Sequence, residues 1–302
     1  MSESQPMLTR LGRARSLPIA CVVLAALVIR PDAAPAPSFM WKATGRTSAI
    51  YLVGSVHLLT KDYYPLSPAL DAAFKDADLL VEEADLGELA SPAGQFEMLV
   101  RGMLPADQSL DTVVSPSTFA EVSRHVAALG VPIEPLKRFK PWMLALTLLG
   151  MEWMRAGFDP ELGLDKHFYD LAQREGKMVQ GLETIEFQIS RFDGMMPAEQ
   201  ERLLAQTLKS IDTEIAGTRA LADAWRGGDA PAVERIVLQD LKEDPQMYKR
   251  LLVDRNRTWL PTLEALFSRR GRAFVVVGAA HLVGPDGLLS LFRGRGYTLD
   301  QQ

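Results

Sequence analysis

Cysteine is almost absent: the 302 residues hold one, Cys21. That excludes a disulfide framework and a thiolate metal cluster. Histidine is scarce too, with four in the chain, so imidazole chemistry has to come from His57, His125, His167 or His281. Long apolar runs are missing apart from Leu17 to Ile29, which is shorter than the roughly 20 residues of a comfortable bilayer span. No cluster of Lys and Arg interleaved with aromatics is present, and the formal net charge is −5. Nucleic acid is therefore not expected as a partner, since binding it requires basic groups that displace counterions from phosphates. Gly-x-Ser-x-Gly, His-Glu-x-x-His, Walker A and Gly-x-Gly-x-x-Gly patterns are missing as well. Their absence removes the serine-hydrolase, zincin, P-loop and dinucleotide readings.

What is present fits a globular protein, with 47% hydrophobic and 24% charged residues. Arg10, Arg13 and Arg15 precede the apolar run, and the small residues and prolines of 32–37 follow it. This order predicts an export signal over residues 1–36, either cleaved or kept as an N-terminal anchor. Residues 37–302 then form the folded domain, periplasmic or anchored facing the periplasm, and any membrane contact runs through the uncleaved segment. If residues 1–36 leave, the only cysteine leaves with them, which suits an oxidising compartment.

Hydrophobic patterning predicts two strands within Met40–His57, the second over Ala49–Val53. It also predicts a strand over Asp78–Leu86, another over Lys177–Glu183, a β-branched strand over Arg272–Val277, and a last one around Tyr297–Leu299. Helical stretches are expected over Ser67–Ala77, Ser115–Leu129, Pro141–Ala156, Leu164–Glu175, Pro197–Arg269 and Gly287–Arg293. The long one is broken at Gly227–Gly228 and Asp244–Pro245. The apolar Pro141–Ala156 carries Glu152 and Arg155, so it reads as a buried helix and not as a membrane span. The fold class is α/β: a mixed central sheet with a largely helical middle insertion.

A small repeat carries the chemistry. Val53-Gly54-Ser55-Val56-His57-Leu58 matches Val277-Gly278-Ala279-Ala280-His281-Leu282, and each copy stands where a buried strand stops. Glycine permits a tight turn at the carboxyl edge of a sheet, where α/β proteins place ligands. A histidine three residues later then faces the crevice, as a metal ligand or a general base. The acidic end of Asp78–Leu86 supplies a carboxylate; by the two-residue period Glu83 and Asp85 share a face and Glu82 points away. Glu83 is the favoured third ligand, or the base that takes a proton from water. His125 is expected at the surface, and for His167 at a helix start a capping environment and ligation are equally open.

These segments, in order from Phe39 to Leu299, resemble the TraB/GumN family, which is related to the Tiki proteins. The resemblance rests on Tyr51–His57, the Glu-x-Asp of Glu83 and Asp85, Gly163-Leu164-Asp165, Gly181-Leu182-Glu183-Thr184, Gln188, Arg255-Asn256 and the final Gly-x-x-His. It implies a metal-dependent hydrolase, since Tiki proteins act as metal-dependent peptidases. On that basis His57, His281 and Glu83 are metal ligands. Read from the residues themselves, Glu83 and Arg255 are the catalytic candidates and Asn256, Asp165 and Glu183 the substrate-binding ones, with Asp165 and Glu183 divided between site support and helix capping. The implied cofactor is a divalent ion (Mn, Co or Zn), and the implied partner is a peptide or protein. Arg255 either stabilises developing negative charge or forms a salt bridge with Asp165 or Glu183. A non-catalytic peptide- or haem-binding protein, or an accessory factor in envelope or exopolysaccharide assembly, are the competing readings.

Overall fold

Two strands with no exposed face set the architecture. Ala49–Ser55 and Ala273–Gly278 are buried along their whole length, as aliphatic runs are when a parallel sheet is covered on both sides. The computed structural model describes residues 37–302 other than 46 and 47, leaving aside the side chains of 214 and 240–243. The expected signal or anchor, residues 1–36, lies outside the described residues.

The strands are β1 (Met40–Thr44), β2 (Ala49–Ser55), β3 (Leu79–Glu82), β4 (Met178–Gly181), β5 (Ala273–Gly278) and β6 (Thr298–Gln301). Among the described residues they form one six-stranded sheet in the order β4-β3-β5-β2-β1-β6. β2, β5, β3 and β4 run parallel, whereas β1 is antiparallel to both β2 and β6. The fold is thus a mixed α/β sheet, with helical segments placed between β3 and β4 and between β4 and β5.

Strand register decides where the site forms. β5 is central, with Gly278 opposite Ser55 of β2 and Val276 opposite Glu82 of β3. The chain therefore leaves β2, β5 and β3 at one carboxyl edge. His57, His281 and Glu83 follow those three ends within a few residues.

Phe74, Phe168 and Phe274 pack against one another beside the sheet, and Trp259 and Phe292 belong to the same core. A second cluster gathers Leu110, Val122, Val126, Leu144, Leu148 and Leu204 from helices of the insertion. Pro141–Arg155 is a helix contributing Leu144, Ala145 and Leu148 to it. No described helix is long and apolar enough to cross a membrane.

Several boundaries differ from expectation. The third strand stops at Glu82 and does not run to Leu86. Asp85 instead caps the helix Leu86–Ala90, its carboxylate accepting the Gly87 N–H at 2.8 Å. A short acidic side chain just ahead of a helix satisfies an N–H that the helix cannot, so the two-residue period fails beyond Glu82. His125 is only partly exposed, 3.1 Å from the buried Glu152 carboxylate, not on the surface. His167 caps nothing; Gly163 is the N-cap of its helix, and its ring packs between Tyr64 and Phe168. Helices Pro92–Gly102 and Ile185–Asp193 were not anticipated.

Candidate functional site

Each motif histidine is held by its Nδ1. His57 shares a 2.8 Å hydrogen bond with Asp165 Oδ2, and His281 a 2.7 Å bond with Asn256 Oδ1. Amide and carboxylate oxygens only accept, so both Nδ1 atoms carry a proton. Nε2 is then the atom each ring offers to the site.

Glycines make room for this arrangement. A side chain on Gly163 would collide with the His57 carbonyl at 2.1 Å. Its absence lets the helix Leu164–Glu175 begin against that turn, with the Leu164 N–H donating to Val56 O at 3.1 Å and Asp165 in reach of the ring. At Gly278 a Cβ would lie 3.2 Å from Glu83 Oε1 and 3.3 Å from His57 Nε2. Both groups therefore face one small space, against bare backbone.

Glu83 receives the Gly278 N–H at 2.7 Å and the Gln188 amide at 3.4 Å. His281 Nε2 is 3.7 Å from its Oε1. Arg255 closes the space between them. Its Nη2 donates to Glu83 Oε2 at 2.5 Å and to Glu183 Oε1 at 2.6 Å. Nε reaches Glu183 at 3.0 Å, and Nη1 reaches Leu251 O at 3.2 Å and His281 Nε2 at 3.0 Å. All five guanidinium N–H groups are thus engaged. The π-helical turn Lys249–Val253 leads into the helix Asp254–Leu266 that carries Arg255, Asn256 and Trp259. One turn after Arg255, Trp259 lies under its guanidinium, against the His281 ring, and donates Nε1–H to Glu183 at 2.8 Å.

Charge follows from these neighbours. Burial pushes His281 down to about 3, and the cationic Arg255 and His57 act in the same direction, so its ring is neutral. His57 is raised to about 9, first by the Asp165 carboxylate; its side chain is 59% exposed, so water screens part of that attraction. Burial alone would raise the Glu83 carboxyl, but the cationic Arg255 and His57 and the Gly278 N–H outweigh it and hold it low. Beside it, Glu82 is 2% exposed and raised to about 9, burial first and then Asp165 and Asp85.

The structure thus brings His57, Glu83, Asp165, Glu183, Arg255, Asn256 and His281 to one edge. Asn256 is buried, and its amide nitrogen donates to the carbonyls of His281 and Asp286 at 3.1 and 2.9 Å. Glu183 faces Arg255 and Trp259, so both residues contact neighbouring protein groups. Arg255 makes its salt bridges with Glu183 and Glu83, not with Asp165. Trp259 escaped the sequence reading, although its spacing of four from Arg255 on a helix was the available signal.

The donor chemistry fits a divalent ion: two Nε2 atoms, each ring fixed by an acceptor on its other nitrogen, and one carboxylate. Their spacing is that of a site closed by Arg255, and no group of three His, Cys, Asp or Glu stands at ligand distances among the described residues. A separate cavity of about 700 Å³, lined by Lys42, Asp76, Asp78 and Arg272, lies at the amino edge of the parallel strands, away from these groups.

A family model described as TraB/PrgY/gumN family matches residues 39–301. The uncharacterized protein YbaP of Escherichia coli (strain K12) is 26% identical over 243 residues, covering 80% of this chain and 87% of its own. YbaP of Shigella flexneri matches with the same identity and coverage. No solved structure gives a significant match.

Proposed function

The chain belongs to the TraB/PrgY/gumN family, and from that premise we propose that it is an exported metal-dependent hydrolase, peptidase-like in its chemistry. One observation carries this reading. Two imidazoles more than two hundred positions apart converge with Glu83 at neighbouring strand ends, each ring fixed through Nδ1.

His57, His281 and Glu83 would hold the ion. Bound there, a divalent ion such as Mn²⁺, Co²⁺ or Zn²⁺ supplies Lewis acidity to a substrate carbonyl and to the attacking water. Asp165 and Asn256 keep the rings oriented. Glu83 is kept ionised by its cationic neighbours, which suits it to hold the ion. Arg255 supplies positive charge for an oxyanion as the carbonyl is attacked. Glu183 and Trp259 hold that guanidinium in place, and the expected substrate is a peptide or protein that approaches the exposed face of His57. Export is supported by the basic and apolar order of residues 10–29.

The test is cleavage of a mixed peptide library by the purified protein, stripped of metal and then resupplied with each ion. Metal-dependent products that vanish in His57→Ala and His281→Ala, with both variants folded by circular dichroism, are the expected result. Metal and peptide binding without any product would favour the non-catalytic reading. Loss of fold in both variants would reduce the histidines to structural groups. Fractionation of cells making the full chain, with N-terminal sequencing of the product, tests export; a cytoplasmic protein starting at Met1 refutes it.

A further inference from the structure

Arg255 is over-committed for a group that serves only as an oxyanion donor. Its guanidinium is buried, and its five N–H groups are all taken. Two of those bonds go to atoms assigned above as metal ligands: Oε2 of Glu83 and Nε2 of His281. An imidazole nitrogen with its lone pair turned to an N–H donor is unavailable to an ion. A carboxylate that shares a 2.5 Å charge-assisted bond is likewise partly neutralised. In this state the cation of the site is the protein's own.

The remaining bonds show what happens to Arg255 when those two are given up. Nε and Nη2 still hold Glu183 at 3.0 and 2.6 Å, Nη1 still holds Leu251 O at 3.2 Å, and the Trp259 ring still lies under the guanidinium at 4.7 Å. The Glu183 and Leu251 contacts involve neither Glu83 nor His281, and Trp259, which also packs against the His281 ring, supports the guanidinium from one face. They retain the charge beside the site after it has let go of both ligands.

The geometry points to Arg255 as a built-in rival of the metal, an internal counter-cation that closes Glu83 and His281 to each other and withdraws onto Glu183 when a divalent ion binds. It is a positioning residue in this role. The inference rests on the ligand set proposed above, and it carries two consequences. The metal-free protein keeps a neutralised, stable site, and metal affinity is set below what two imidazoles and a carboxylate would otherwise give.

Calorimetric titration of Mn²⁺ into the metal-free full chain tests this with a readout other than turnover. Arg255→Lys keeps the charge but replaces a five-donor fork with a compact ammonium, which cannot grip Glu83, Glu183 and His281 together. Arg255→Met combined with Glu183→Gln removes the cation and its main anchor as a pair, so that Glu183 is not left as an unpaired buried charge. Both variants should bind Mn²⁺ about tenfold tighter than the natural protein, and Mn²⁺ should raise their melting temperatures by more. Arg257→Gln is the control: it removes an equal charge from the same helix at an exposed position and should leave the affinity unchanged. Affinity that stays equal or weakens in both Arg255 variants, while the natural protein binds Mn²⁺, overturns the rivalry and leaves the ligand set standing. Binding by none of the proteins overturns both. An equal gain in Arg257→Gln reduces the effect to general charge and also overturns the proposal.

Discussion

At the scale of single residues, Glu82 and Glu83 are chain neighbours with opposite fates. Glu83 leaves the strand end, meets Gly278 N–H and Arg255, and is held ionised. Glu82 stays buried in the strand, where the Leu86 N–H only partly opposes the effect of burial and of the nearby Asp165 and Asp85. With its acid raised to about 9 from 4.5, the folded state holds a proton that the unfolded chain releases. The stability it contributes is therefore complete below about pH 4.5 and is lost as the pH rises towards 9. Glu82→Gln keeps the neutral shape without the titration. We expect it to stabilise the protein by about 3 kcal/mol at pH 7 and by almost nothing at pH 4. Denaturant unfolding at the two pH values checks this, and equal effects at both would refute it. His57 shows the same sign of linkage for a different reason: its Asp165 partner favours the protonated, charged ring. Its contribution is full below 6.5 and disappears as the pH passes about 9. In the metal-free protein, NMR titration should give the His57 ring a midpoint above 6.5, and Asp165→Asn should return it towards 6.5. An unmoved midpoint would deny Asp165 its part.

At the scale of elements, the two Gly-x-x-His turns look interchangeable in sequence but are not so in structure. A Cβ on Gly54 would lie 2.4 Å from the Phe39 ring, inside the hydrophobic core, whereas a Cβ on Gly278 meets Glu83 and His57 at 3.2 and 3.3 Å. Gly54→Ala should therefore cost about 1–3 kcal/mol of stability by overpacking. Gly278→Ala should disturb metal binding more than the fold. Melting temperature and Mn²⁺ affinity measured on both variants separate the two effects; matching profiles would show that the turns play one role. The ends of β2 and β5 were legible in this sequence because their buried aliphatic runs stop abruptly at glycine. The helix starts at Pro68, Pro116 and Pro141 were legible because proline suits a first turn. The position of Asp85 was not, because alternation reads an acidic strand end and a helix cap alike. Nor did the sequence show that Arg255 lies between Glu83 and His281. That depends on strands distant in sequence pairing at β5, and on the π turn before the helix.

At the scale of the whole molecule, stability and site chemistry are drawn from different parts of the chain. The site residues come from the ends of β2, β3 and β5, from the starts of the helices Leu164–Glu175 and Asp254–Leu266, and from the turn after β4. The second apolar cluster, with Leu148 fully buried at its centre and Leu204 from the helix Pro197–Arg226, contributes none of the atoms around Glu83. A cavity made there should be felt as lost packing and little else. Leu148→Ala removes methyl groups from a closed environment, so about 2–5 kcal/mol of stability should go. Hydrogen exchange should quicken first in the helices Pro116–Leu129 and Pro141–Arg155, while the β5 amides keep their protection. Where the protein remains folded, Mn²⁺ affinity should stay as it was. A fall in affinity that tracks the loss of stability would instead mean that the insertion holds the sheet edge in shape. The three strand ends would then not suffice to bring His57, Glu83 and His281 together.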